Sequence, residues 1–233
     1  MREADWPRIG AQDVVHRGER EAVVVKPAGL SREAPGHGGR GPETLLVQAR
    51  ALLGWPDAQL PHRLDRPTRG FVVVARDRDA VAALNEGLRS GRWRKRYLAR
   101  VAPAAGGDAA GLAGEHRMYL RREGRTARVV RAGGDPASLT VDAVAPAPGR
   151  AGESHVLVTL GTGRFHQVRA MLAALGFPLV GDADYGGRPG PMYLEHAALA
   201  FPAADGTTVC MARRDDPARE PVAEALLDAI SAG

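Results

Sequence analysis

The chain has 233 residues, 44% hydrophobic and 25% charged, enough to bury a core as one large domain or one domain with two lobes. Its formal charge of +5 rests almost wholly on arginine, since only Lys26 and Lys95 are lysines, and it leans toward an anionic partner. A single cysteine, Cys210, excludes an intrachain disulfide and an all-cysteine metal site, and no run of 18 apolar residues suggests a membrane span.

The N-terminal stretch MREADWPRIG lacks the apolar segment of a secretory signal, so a cytoplasmic protein is expected. EAVVVKPAGL (21–30) predicts a buried strand running into a Pro-Gly turn, and the Gly-rich stretch at 31–41 a loop. The segment 42–53 predicts a helix opened by a proline, with Leu45, Leu46, Ala49, Leu52 and Leu53 on one face. GFVVVAR (70–76) is a second buried strand. Asp77 can cap the helix after it, whose face is Ala80, Val81, Leu84 and Leu88 and whose stop is Gly91.

KRYLARV (95–101) alternates like a strand, and RMYLRR and RTARVVR flank Glu123-Gly124 as a hairpin. SLTVDAV and SHVLVTL read as two more strands. GRFHQVRAMLAALG (163–176) predicts a helix stopped by Gly176, FPLVGDADYGG a strand into a turn, MYLEHAALAF and TTVCMA late strands, and 217–230 a terminal helix holding a proline in its first turns. Strands and helices mix without strict alternation, which predicts an α+β fold with a largely antiparallel sheet.

Two segments carry candidate chemistry. In LPHRLDRPTRGFVVVARD (60–77), Asp65 lies among His62, Arg63, Arg66 and Arg69. A nucleophile or base must be ionised, and neighbouring arginines keep a carboxylate charged; a plain surface ion pair is the alternative. In TGRFHQVRAML (162–172), helical spacing puts His166 and Arg169 on one face, which suits a cation presented to Asp65 or simply a solvated polar side. Tyr97 follows the basic run Arg92, Arg94, Lys95 and Arg96, so it is a core residue or a base-stacking one. No P-loop, no dinucleotide fingerprint and no clustered His/Cys ligands appear, so neither cofactor nor metal is expected.

KPAGL, HRLDRPTRG, KRYLARV, TGRFHQVR and GFPLVGDADYGG stand in an order and spacing that resembles the RNA pseudouridine synthases of the RluA type, over about residues 20–200. The resemblance implies one catalytic domain over 1–233, with 1–19 as an extension and no room for an S4-type RNA-binding domain. It implies a bent, mostly antiparallel sheet with a central cleft and flanking helices. It implies an isomerase of uridine in structured RNA, rRNA or tRNA, acting without cofactor; a monomer off the membrane is the default expectation.

By the same resemblance Asp65 is the catalytic aspartate, as nucleophile or base. Tyr97 packs against the target base, and Arg169 pairs with the aspartate. Arg63 enters the RNA near the vacated base. His166 and Gln167 are RNA-contacting or structural. Apart from the resemblance, Arg94 and Lys95 of the basic run, and Arg164, are expected to bind RNA. The chain departs from the family pattern at Val25, Arg69 and Phe165, and the last two bear on which RNA fits. Two other readings stay open: an RNA-binding protein on the same fold without catalysis, and a nucleoside or glycoside hydrolase using Asp65 with Glu43, Glu153 or Asp182. For Asp182 a turn or helix-cap role is expected.

Overall fold

The computed structural model describes residues 7–31 and 44–232, and the chain forms two compact units. The first comprises residues 1–93 and 199–210, the second 94–198 and 211–233. The Gly-rich stretch, Pro42 and Glu43 lie outside the described residues.

In the first unit β1 (Val14–Arg17), β2 (Glu21–Lys26) and β3 (Arg69–Ala75) run side by side, each antiparallel to the next. Every residue of β2 is buried, as are six of the seven in β3. Their continuous valine runs have no polar alternation because both faces are covered. Helix α1 (Leu45–Leu53) is opened by Thr44, whose hydroxyl accepts from Val47 N. Leu45, Ala49 and Leu53 are buried as expected, with Gln48 among them. Helix α2 (Arg78–Arg89) starts at the predicted cap: Asp77 accepts from Ala80 N at 2.8 Å. Strand β1 falls in the stretch read as an extension. Four residues with alternating exposure carry little apolar signal, and the pairing with β2 supplies what the pattern lacks.

In the second unit β4 (Arg94–Val101) pairs with β8 (Ser154–Leu160), β8 with β7 (Asp135–Pro146), β7 with β5 (Gly114–Glu123) and β5 with β6 (Thr126–Val130), all antiparallel. The β5–β6 hairpin closes where Glu123-Gly124 predicts it, with Gly124 at φ +58°. β10 (Thr208–Ala212) pairs with β9 (Leu194–Pro202), of which the first unit holds the part from Leu199 on. Helix α4 (Glu224–Ser231) buries Leu226 and Ile230 against Leu98, Leu157, Tyr193 and Ala197. The fold is the α+β, mostly antiparallel architecture that the mixed order of elements predicts.

Several element bounds differ from expectation. Helix α1, read from residue 42 with a proline opening it, starts at Leu45 because the Thr44 hydroxyl caps it. Helix α3 covers only Gln167–Ala174, because His166 sits in the left-handed region at φ +51° and cannot continue a helix backward. FPLVGDADYGG holds no strand: Leu179 makes one isolated bridge to Val101, and a short 3-10 turn follows at Ala183–Tyr185. α4 begins three residues after Pro221 rather than around it, since proline lacks the N–H and biases the residue before it away from helix.

Candidate active site

In the first unit, Asp65 is half-buried on the segment that leads into β3. Its carbonyl accepts from Thr68 N at 3.1 Å, closing a turn, while Leu64 and Thr68 on either side are buried. Two anchors hold this segment. His62 Nε2 accepts from Val73 N at 2.9 Å, and its ring meets Trp93 edge-on at 5.2 Å. Lys26, fully buried at the end of β2, donates from Nζ to the carbonyls of Pro27 (3.0 Å), Leu30 (2.9 Å) and Arg66 (3.1 Å).

The Arg66 carbonyl also accepts from Gly29 N, and Arg66 Nε returns a bond to Gly29 O. Gly29 adopts φ +86°, which lets the KPAGL turn come this close. The turn after β2 and the turn carrying Asp65 are thus one clamp with Lys26 at its centre. Burial pulls the Lys26 ammonium down to about 7; the Asp65 carboxylate opposes the shift and Arg66 adds to it. Three carbonyl acceptors match the three protons of the charged form. Sequence reasoning took KPAGL as strand then turn and missed the lysine; its only signal was a lone lysine ending an apolar strand.

In the second unit, Tyr97 is 6% exposed on β4. Its ring stacks on fully buried His196 of β9, 4.6 Å between centroids and 9° from parallel. The basic run before it divides by strand alternation. Lys95, two residues away, shares the Tyr97 side, and its ammonium approaches Gly163; partial burial lowers its pKa. Arg94 is exposed, whereas Arg96 is buried and donates to the Ala229 carbonyl at the end of α4, 2.6 Å away. Arg96 is therefore a helix-end partner. His196 was not singled out in the sequence, since a histidine inside an apolar strand gives no cue to its ring partner.

Arg169 is 4% exposed in the first turn of α3 and is the centre of an ion network. Nε donates to Asp182 Oδ2 at 2.7 Å and Nη2 to Asp182 Oδ1 at 2.6 Å, a two-bond fork. Nη2 also reaches Asp184 Oδ2 at 3.1 Å, and Nη1 lies 3.0 Å from His166 Nε2. The guanidinium sits 4.9 Å over the Tyr185 ring. The Arg169 hydrogen bond, then that of Arg125, holds Asp184 below the usual carboxylate range. Asp182, expected in a turn or as a cap, is a turn residue: its carbonyl accepts from Tyr185 N and Gly187 N, while its carboxylate makes no capping bond and binds Arg169.

The loop before α3 is tied by Gln167. Its side-chain oxygen accepts from Thr162 Oγ1 (2.7 Å) and Arg164 N (2.9 Å), and its amide donates to Ser138 O (2.8 Å). Gln167 is 3% exposed and shapes the turn. Arg164 is exposed and spans to the Pro136 carbonyl.

The structure thus gathers Arg164, His166, Gln167 and Arg169 around the start of α3, and Asp65 with Lys26 and Arg66 in the other unit. Arg63 is exposed beside Asp65. Among the described residues no helix is long and apolar enough to cross a membrane.

Residues 21–174 match the model of the RNA pseudouridylate synthase family. Among curated proteins, the chain is 33% identical over 180 residues to ribosomal large subunit pseudouridine synthase D of Pseudomonas aeruginosa, covering 76% of this chain and 54% of that protein. It is 36% identical over 183 residues to the protein of the same name from Xylella fastidiosa, covering 75% of this chain and 52% of that one. The chain therefore spans about half the length of these relatives. Among solved structures, human RNA pseudouridylate synthase domain containing 1 aligns over 97% of this chain and 98% of its own, with a TM-score of 0.71 at 23% identity. Human RNA pseudouridylate synthase domain containing 4 aligns over 94% and 92%, with a TM-score of 0.65 at 19% identity. These two likenesses speak to the fold, and the family match runs through Asp65, Tyr97 and Arg169 in one span: the chain belongs to the RNA pseudouridylate synthase family.

Proposed function

We propose that this chain isomerises uridine to pseudouridine in structured RNA, as a monomer in the cytoplasm. The observation that carries the reading is the family match over residues 21–174, which contains all three groups the chemistry asks for. The C1′–N1 bond of the nucleotide breaks and a C1′–C5 bond forms; N1 gains a proton and C5 releases one, so no oxidant or donor is consumed. Asp65 acts on the ribose, as nucleophile or as base. Arg169 supplies the positive charge that the chemistry asks for. Tyr97 offers its ring to the detached uracil. Arg63, with Arg94, Lys95 and Arg164, contacts the RNA and offsets the cost of extruding the base, a few kcal/mol.

The names of the bacterial relatives support ribosomal RNA as the substrate class. The test is tritium release from RNA labelled at C5 of uridine, with rRNA fragments and tRNA transcripts as separate arms. Release from rRNA by the wild-type chain, abolished in Asp65→Asn with RNA affinity retained, is the expected result. Binding without release in the wild-type chain would instead identify a catalytically silent RNA-binding protein.

A further inference from the structure

Phe165 is where this chain departs from the small or hydroxylated residue of the family pattern, and its surroundings give that departure a use. The Phe165 ring stacks on His166 at 3.9 Å and 17°. The Arg122 guanidinium lies over the same ring, 4.4 Å from its centre. Two planar groups that close to one ring centre cannot share a face, so Phe165 is sandwiched. It has no open face for a nucleobase.

What the sandwich fixes is Arg122. This residue is exposed on β5, on the side of the strand that carries buried Leu120, and its Nε is tied to Gly124 O at 3.2 Å. Among the described residues its two terminal nitrogens meet no carboxylate. The adjacent acid, Glu123, is engaged by Arg121 at 2.9 Å and Arg128 at 3.8 Å. Two bonds tie the hairpin to the segment after α3. Arg125 binds Asp184 at 3.1 Å, and Ala127 N donates to the Tyr185 hydroxyl at 2.7 Å. Both anchors belong to the turn that also holds Arg169.

An exposed planar cation whose face and Nε are engaged, and whose terminal nitrogens meet no carboxylate among the described residues, is matched to a phosphate. We propose that Arg122 contacts the sugar–phosphate backbone of the RNA, and that Phe165 sets RNA affinity by holding Arg122 rather than by stacking a base. The inference rests on the reading that the chain acts on RNA.

Steady-state tritium release and RNA binding across a salt series test it with Arg122→Gln, Phe165→Ala and Phe165→Tyr. Arg122→Gln should raise KM roughly three- to tenfold with kcat changed less than about twofold. It should also shallow the log–log salt slope by about 0.7 to 0.9, the loss of one phosphate contact. Phe165→Ala should raise KM in the same direction but less, and Phe165→Tyr, which keeps the sandwich, should restore the wild-type value. An unchanged KM and salt slope in Arg122→Gln would overturn the proposal. So would a Phe165→Ala chain that loses only melting temperature, because the stack would then merely close the hairpin onto the helix start. An inert wild-type chain sinks the synthase reading instead, whereas an active wild type with an indifferent Arg122→Gln sinks this inference alone.

Discussion

The turn that carries Asp65 and the turn that grips Arg169 solve opposite problems. In the proposed function the first presents an anion, and it is held by backbone: three carbonyls converge on one lysine, and a glycine in the left-handed region lets two turns meet. The second presents a cation in that proposal, and it is held by side chains: two carboxylates and two rings lie around one guanidinium. An ammonium under three carbonyl oxygens ties the turn through its main chain. A guanidinium forked onto Asp182 commits Nε and Nη2 to that carboxylate and turns Nη1 to His166. The two arrangements should therefore fail differently under mutation and pH.

The largest contrast is chemical. Asp65→Asn should remove isomerisation altogether, because an amide is neither nucleophile nor base, and leave the clamp standing because Lys26 bonds to carbonyls. Tritium release together with a urea melt checks both halves; turnover surviving in this variant would refute the assignment. Asp182→Asn comes next. It takes from a buried guanidinium the carboxylate it forks onto, and breaking such a pair costs about 3–5 kcal/mol. A shift of the urea midpoint worth under about 1 kcal/mol would show the fork to be dispensable.

Much of this was legible before any coordinates. The valine runs at 21–26 and 69–75 and the hairpin at Glu123-Gly124 follow from local pattern, and Asp77 caps where a cap is needed. The start of α3 was not legible, because it depends on Gln167 reaching Ser138, 29 residues away, and on a histidine in a conformation that sequence alone assigns to glycine. Candidate residues divided the same way. Asp65, Tyr97 and Arg169 came from motif resemblance. Lys26, Asp182 and His196, which hold or touch them, act through contacts no spacing rule encodes. Arg96 sat in a basic run that looked uniform until strand alternation turned it toward α4.

A smaller effect separates the two regions by pH. The unfolded chain keeps the Lys26 proton up to about 10.5 and the folded chain only to about 7. Between those values the unfolded state binds more protons, so stability gains with rising pH at up to about 1.4 kcal/mol per unit from this group. Lys26→Met removes that contribution. The difference in unfolding free energy between wild type and variant should change from pH 7 to pH 9 in the direction that favours wild type. A constant difference would mean the lysine titrates outside the window. Asp182→Asn, which touches only the other unit, should show no such trend.

The smallest effect isolates the closeness of the two turns. Gly29→Ala places a Cβ on a residue at φ +86°, and the left-handed region costs a non-glycine residue roughly 1–2 kcal/mol. Space is not the obstacle, since the nearest atom to that Cβ is Pro7 Cγ at 3.4 Å. The cost must come from the backbone, and the chain can relieve it by opening the turn. Opening lengthens the Gly29 N to Arg66 O bond and draws Lys26 from its carbonyls. Gly29→Ala should thus lose activity out of proportion to its 1–2 kcal/mol of stability, with kcat falling more than KM rises. Gly54→Ala, at φ +68° in the same unit but at the end of α1, carries the same backbone penalty and should lose stability alone. Equal kcat values in the two variants, at equal loss of stability, would show that the clamp does not position Asp65.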